Sequence, residues 1–183
     1  RGGSKRIPHK NIRDFLGKPA ITRTLEKLVE SEIFDEVFVS TDSNEIAEVA
    51  TTTKGVKVIF RPAKLADDIT PTVPVIAHAV TEYMKTMDDL SQQSDLDVCC
   101  VYPVTPLLNP SRLKEAKELL TRGDWDFVLG AIQFESPIER AFNKIASGEI
   151  LFRDHKFIET RTQDLPSSYH DSGQFYFGRR SSW

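Results

Sequence analysis

Short apolar segments alternate with amphipathic helical patterns over the first 132 residues, and this alternation constrains the fold more than any other feature. Apolar residues recur at helical spacing in 19–30 and again in 43–52. Strands that are joined by helices run parallel, because a right-handed crossover returns the chain to the same edge of the sheet. We therefore expect an α/β fold with a mostly parallel sheet.

The same reading predicts four helices and four strands in this part of the chain. The helices cover residues 19–30, 43–52, 73–87 and 112–120, and the strands cover 37–40, 56–60, 96–101 and 127–132. Ser43 and Ser111 are expected to cap the second and fourth helices, since a serine hydroxyl accepts a free N–H group of the first turn. The segment 96–101 is the most apolar strand, which predicts the centre of the sheet. It contains Cys99 and Cys100, which we interpret as reduced core cysteines.

The pattern changes after residue 133. Short apolar runs at 142–145, 150–152 and 157–159 predict a β-rich segment, and 174–177 predicts a last strand. We expect a single domain over residues 1–183, with about 134–172 inserted as a β-rich arm or flap. The chain begins on a loop that normally follows a strand, and it ends on Trp183 without a closing element, so we expect both ends to be truncated.

Charge and hydropathy exclude some classes of partner. The net charge is −3 and the sequence pI is about 5.8, which argues against a protein that binds nucleic acid through a broad basic face. The sequence shows no apolar stretch of membrane-spanning length and no signal peptide. We therefore expect a cytoplasmic protein that binds neither nucleic acid nor a membrane.

The first six residues, Arg1-Gly2-Gly3-Ser4-Lys5-Arg6, combine three cations with two glycines. Glycines let backbone N–H groups approach phosphate oxygens closely. Arg1 can bind two phosphate oxygens at once, and Lys5 adds a movable positive charge. The spacing differs from that of a Walker loop. The segment alone is either an anion-binding loop or a basic surface turn.

The residues that follow decide between these two interpretations. The loop continues as Ile7-Pro8-His9-Lys10-Asn11 and then Gly17-Lys18-Pro19. Six further strings follow later in the chain: Val39-Ser40-Thr41-Asp42, Arg61-Pro62-Ala63-Lys64-Leu65, Asp67-Asp68, His78-Ala79, Gln163-Asp164-Leu165-Pro166 and Tyr169-His170-Asp171-Ser172-Gly173-Gln174-Phe175-Tyr176. Together they resemble the acylneuraminate cytidylyltransferase family over nearly the whole chain. The last string is most similar to the pseudaminic acid branch of that family.

The resemblance implies a fold and an activity. The fold is a Rossmann-like three-layer α/β sandwich, and a small β-rich arm joins two subunits in a homodimer. The activity is transfer of CMP from CTP to the anomeric hydroxyl of a nonulosonic acid, sialic-like and most similar to pseudaminic acid, with release of pyrophosphate and Mg²⁺ as cofactor. Two alternatives stay open: another acid, such as legionaminic, neuraminic or a shorter keto-deoxy sugar acid, or a catalytically silent nucleotide-binding module.

The resemblance also assigns residues to the site. Those implied to bind the nucleotide are Arg1, Gly2, Gly3, Ser4, Lys5, Asn11, Arg61 and Thr72. Among them, Arg1 and Lys5 are implied to be catalytic, Asn11 to contact the ribose, and Arg61 and Thr72 to recognise cytosine. Those implied to bind the sugar acid are Tyr102, His170, Asp171, Ser172 and Gln174.

Two departures from the family bear on activity. The family carries a late Asp-Ile-Asp-Thr-type segment whose carboxylates hold Mg²⁺, and no such segment occurs before Trp183. Asp42, Asp67 and Asp68 lie in the same broad region, but we interpret them as solvated or capping acids, so the metal ligands stay unassigned. Val104 replaces a hydroxyl residue that is frequent in the family, and Thr105 is the alternative source of that hydroxyl.

Overall fold

The computed structural model describes residues 1–3, 7–87 and 95–183, which form two units. The first unit contains Arg1–Leu129 and Gly173–Trp183, and the second contains Gly130–Ser172. The helices of the first unit are α1 (Ala20–Glu30), α2 (Asn44–Thr51), α3 (Thr72–Met84) and α4 (Pro110–Arg122), and its strands are β1 (Val37–Thr41), β2 (Val56–Phe60) and β3 (Asp97–Val101). Strand β4 (Phe127–Gln133) leads into the second unit, which holds β5 (Phe142–Lys144) and β6 (Ile150–Phe152), and β7 (Tyr169–Arg179) leads back into the first.

A strand-helix-strand unit forms the first half of the fold. Strands β1 and β2 pair in parallel, with a register that runs from Val37 opposite Val56 to Thr41 opposite Phe60. Helix α2 connects them, and its buried residues join those of α1 and both strands in one apolar cluster: Ile21, Leu25, Val39, Ile46, Ala50 and Val56. The parallel arrangement predicted from the alternating pattern is confirmed for this pair of strands.

The second sheet has three strands in the order β3-β7-β4, so β7 lies in the middle. Strand β3 runs antiparallel to β7, with Val101 opposite Phe175. The prediction that residues 96–101 form the centre of the sheet is wrong for this sheet. Strand β3 is apolar because its side chains pack on a core cluster that includes residues of α4. The middle strand, β7, contributes Phe177 to the same cluster, and that side chain is only 1% exposed.

The helix starts follow the capping residues. Ser43 precedes α2, and its hydroxyl accepts a hydrogen bond from the Ile46 N–H at 3.4 Å, which confirms that prediction. The predicted Ser111 cap is wrong, since α4 begins at Pro110 and Asn109 accepts from the Ser111 N–H at 3.0 Å. A proline fits the first helical position because its φ is preset and the N–H it lacks would have no helical partner.

The second unit is built on a small hairpin. Strands β5 and β6 pair antiparallel, with Phe142 opposite Phe152, and Gly148 in the turn has a φ of 93°. The predicted strand at 157–159 is wrong, because His155–Phe157 forms a single 3₁₀ turn. The Asp154 side chain caps that turn by accepting from the Lys156 N–H at 2.9 Å.

The two adjacent cysteines lie in β3, and both are free thiols. Burial raises the pKa of the Cys99 thiol well above its ordinary value and raises that of Cys100 to about 11. The thiolate is the reactive form of cysteine, so both side chains are inert near neutral pH. They act as small core residues, as the sequence indicated.

Within the described ranges, every helix is too short or too polar to cross a bilayer.

Candidate active site

The candidate site lies where the two parallel strands end. Asp42 follows β1 directly, and Arg61 follows β2 directly, with its N–H donating to the Thr41 carbonyl at 2.9 Å. Because the strands are parallel, both residues lie at the carboxyl edge, where open α/β sheets bind their ligands. The register therefore places a carboxylate and a guanidinium at one edge.

The Arg61 guanidinium is partly buried and only partly paired. Its Nη2 donates to the Ser40 carbonyl at 2.5 Å, while its Nε is buried without a partner in the described part of the chain. Burial lowers the pKa of Arg61 from its ordinary value, and the nearby Asp42 carboxylate opposes that shift. A buried donor without a partner is costly. Arg61 therefore keeps a hydrogen-bonding capacity that a ligand could satisfy.

The N-terminal loop meets the same edge. The Gly2 N–H donates to the Asp42 carboxylate at 2.9 Å, and the Asn11 side chain donates to the Arg1 carbonyl at 3.3 Å. A Cβ atom on Gly2 would stand 3.0 Å from the Cβ of Ser43, so this approach favours glycine. Arg1, Gly2 and Asn11 line a cleft of about 280 Å³, and Ser4 and Lys5 lie outside the described residues.

The Arg1 side chain is held by the segment after β2. Its guanidinium forms an ion pair with Asp68 and donates to the Asp67 carbonyl at 2.9 Å. Asp67 itself accepts from the Ile69 and Thr70 N–H groups at 3.0 and 2.6 Å and is exposed, so it is a loop acid that caps no helix. Asp42 and Asp68 instead bond to the loop, a role that the sequence did not indicate. No local pattern could have shown it, because these partners lie 40 and 67 residues away.

A second group of predicted residues meets around Tyr102. Thr72 begins α3, and its hydroxyl oxygen lies 3.3 Å from the Tyr102 hydroxyl oxygen. The Tyr102 N–H donates to the Gln174 carbonyl at 3.0 Å, and its ring packs edge-on against Tyr176. The structure thus joins Thr72, predicted for cytosine, to Tyr102, predicted for the sugar acid.

Thr105 does not offer the hydroxyl that Val104 lacks. It is 7% exposed, and its hydroxyl donates to the Tyr102 carbonyl at 3.1 Å. Its N–H donates to the Thr24 hydroxyl at 3.1 Å. That expectation is wrong, because Thr105 holds the turn after β3 instead of facing a ligand.

The remaining predicted sugar residues belong to the second unit. The His170 ring packs edge-on against Phe134, and its Nδ1 lies 2.9 Å from the Asp171 carbonyl. The Ser172 hydroxyl is buried without a partner in the described part of the chain. Gly173 follows with a φ of 64°, a conformation that favours glycine. The roles of His170, Asp171 and Ser172 at the sugar stay predictions.

The described residues contain no cluster of three or more His, Cys, Asp or Glu side chains that could hold an ion.

The strand-helix-strand unit, with Arg1 and Gly2 at its carboxyl edge, is typical of α/β proteins that bind nucleotides at that edge. The chain belongs to the cytidylyltransferase family, whose model matches residues 1–182. It is therefore a nucleotidyltransferase, and the resemblance seen in the sequence is confirmed.

Individual proteins refine this comparison. The chain is 41% identical over 183 residues to a pseudaminic acid cytidylyltransferase of Campylobacter jejuni subsp. jejuni serotype O:2. The aligned region covers 100% of this chain and 77% of that protein. It is 31% identical to N-acylneuraminate cytidylyltransferase A of Danio rerio, over 98% of this chain and 40% of that protein. A solved structure of CMP:2-keto-3-deoxy-manno-octonic acid synthetase complexed with CTP matches the fold with a TM-score of 0.70 and 16% identity, over 99% of this chain and 71% of that one.

Proposed function

We propose that the protein transfers CMP from CTP to the anomeric hydroxyl of a nonulosonic acid, and that this acid is pseudaminic acid. The higher identity to a pseudaminic acid cytidylyltransferase than to an N-acylneuraminate enzyme supports this choice of acid. The observation that carries the proposal is Arg61, whose unsatisfied Nε lies at the carboxyl edge beside the glycine loop. A buried guanidinium there has the donors that a cytosine carbonyl needs.

The proposed reaction is an in-line displacement at the α-phosphorus of CTP. The sugar oxygen forms a new bond to phosphorus, the bond to the β-phosphate oxygen breaks, and pyrophosphate leaves with that electron pair. The hydroxyl proton passes to solvent. Such chemistry depends on positioning and charge neutralisation, because the protein forms no covalent bond to the substrate.

Each group of residues has one task in this reaction. Arg1 and Lys5 stabilise negative charge on the phosphates, and the backbone N–H groups of the loop add further donors. Asn11 binds the ribose, while Arg61 and Thr72 bind cytosine. The residues that we assign to the sugar acid are His170, Asp171, Ser172 and Gln174.

We also propose Mg²⁺ as the cofactor. Magnesium commonly uses one or two carboxylates and completes its shell with water and substrate phosphates. The described residues contain no cluster of three or more possible ligands, and no step above depends on a particular protein ligand. When bound, Mg²⁺ neutralises phosphate charge.

The proposed function is tested by measuring pyrophosphate release from CTP with a panel of sugar acids. We expect the highest kcat/KM with pseudaminic acid and Mg²⁺, lower values with legionaminic and N-acetylneuraminic acids, and little release after EDTA or without an acid. If another acid is preferred, the choice of substrate is wrong. Tight CTP binding with no release from any acid would instead identify a silent nucleotide-binding module.

The second unit has a separate proposed role. We propose that residues 134–172 form a dimerisation arm on a Rossmann-like three-layer sandwich, and that the dimer is cytoplasmic, where CTP is made. Phe142, Ile150 and Leu151 of the hairpin are 49–55% exposed, although a two-stranded hairpin is marginally stable alone. A partner subunit that covers these side chains would supply the missing contacts.

The proposed role of the arm is tested by measuring the mass of the protein in solution by sedimentation. We expect the wild type to sediment as a dimer and Leu151→Glu to shift towards the monomer, because a buried unpaired carboxylate is strongly disfavoured. Glu149→Gln, on the same hairpin, is the control and should remain dimeric. A Leu151→Glu variant that stays fully dimeric would remove the arm from the interface.

A further inference from the structure

Both the backbone and the ring of Tyr102 are held in place by contacts within the protein. Its N–H donates to Gln174, its carbonyl accepts from the buried Thr105 hydroxyl, and its ring packs against Tyr176 with 5.6 Å between centroids. These three contacts fix both the backbone and the ring plane. The phenol oxygen is therefore presented at a defined position, 3.3 Å from the Thr72 hydroxyl oxygen.

The chemistry of two neighbouring hydroxyls favours one direction for this contact. A phenol, with a pKa near 10, is a better hydrogen-bond donor than an aliphatic alcohol. This difference favours donation from Tyr102 to Thr72, which would leave the Thr72 proton free to point elsewhere. A threonine hydroxyl alone rotates to suit whichever partner arrives, whereas a paired one is biased towards donating.

We infer that Tyr102 is a positioning residue for the nucleotide base, and that it favours cytosine over uracil by holding the Thr72 hydroxyl as a donor. This inference rests on the proposed function, in which Thr72 contacts the base. Cytosine has an acceptor at N3, whereas uracil has an N–H group there. A fixed donor therefore pairs with cytosine and faces a second donor in uracil, so the hydrogen bond is lost with uracil.

The assignment differs from the role that the sequence suggested for Tyr102. A sugar-side Tyr102 would affect the KM for the acid and leave base selectivity unchanged. A base-side Tyr102 would affect the affinity for CTP relative to UTP in the absence of any sugar acid. The two roles are therefore separable by measurement.

The experiment compares Tyr102→Phe with wild type by calorimetric titration of CTP and UTP. Phenylalanine keeps the ring against Tyr176 and both backbone hydrogen bonds, so we expect an unfolding midpoint within a few degrees of wild type. We expect the preference for CTP over UTP, taken as the ratio of their Kd values, to fall about 3- to 10-fold, because the freed Thr72 hydroxyl can accept from uracil as well as donate to cytosine; this is the range of one neutral hydrogen bond. The KM for the sugar acid should stay within about 2-fold.

Three further measurements keep the inference falsifiable. Thr72→Val should lower the CTP preference similarly, and the double variant should be no worse than either single one, because the hydroxyls act as a pair. Tyr83→Phe, elsewhere on α3 and packed against Phe38, is the matched control and should bind as wild type does. A Tyr102→Phe variant that keeps the CTP preference, or that changes only the KM for the acid, overturns the inference. A wild type without CTP preference refutes the cytidine specificity of the proposed function itself.

Discussion

Replacing Arg1 with alanine should lower kcat for pyrophosphate release by about 10²- to 10³-fold, the loss typical when one donor to a developing charge is removed. Arg1 lines the cleft together with Gly2 and Asn11, and its guanidinium forms an ion pair with Asp68. That placement brings a forked donor to the proposed position of the phosphates. Arg1→Lys should recover little of the lost kcat, since lysine offers a point charge in place of two parallel donors.

The matched control for Arg1 is Arg122→Ala. Arg122 lies on α4 and pairs with Glu118 at 3.5 Å, an exposed ion pair one helical turn apart. Such pairs contribute little to stability, so the variant should fold and react as wild type does. If both Arg1→Ala and Arg122→Ala retain the wild-type kcat, Arg1 has no part in the chemistry.

Replacing Arg61 with alanine should raise the Kd for CTP by roughly 10- to 100-fold, the range for a hydrogen bond that involves a charged group. The reason is the free Nε at the carboxyl edge, which alanine removes along with the bond to Ser40. Lysine should not restore affinity, because it cannot donate to Ser40 and to a base at the same time through a planar fork.

The unfolding midpoint separates a binding role of Arg61 from a structural one. The Ser40 contact joins the end of β1 to the residue after β2, so some loss of stability accompanies any substitution. An Arg61→Ala variant that melts earlier but binds CTP with unchanged affinity would make Arg61 a structural residue only. Lys57→Ala, on β2 with an exposed pair to Glu36, is the control for a lost cation on this strand.

The elements that sequence predicted well are those fixed by local chemistry. Strand β2 begins and ends at the predicted residues 56 and 60, and Ser43 caps α2 as expected. Pro74 does not break α3, because it lies in the first turn, where its missing N–H would have no helical partner. In each case the deciding interaction lies within a few residues.

Strand order and pairing direction depend on distant residues instead. Hydrophobicity identified β3 as a strand, but it could not show that β7, which begins 68 residues after β3 ends, runs antiparallel beside it. The same limit applies to the site. The resemblance assigned Arg1, Arg61 and Thr72 to the site, and these roles stay predictions, whereas the contacts with Asp68 and Tyr102 arise only when separate loops meet.

Arg1 and Gly2 already have anionic partners in the structure, Asp68 and Asp42. If phosphate binds these groups as proposed, binding is an exchange, in which the phosphate replaces a carboxylate that the protein supplies. The number of ion pairs changes little during such an exchange, so affinity should depend less steeply on ionic strength than at an open cationic surface.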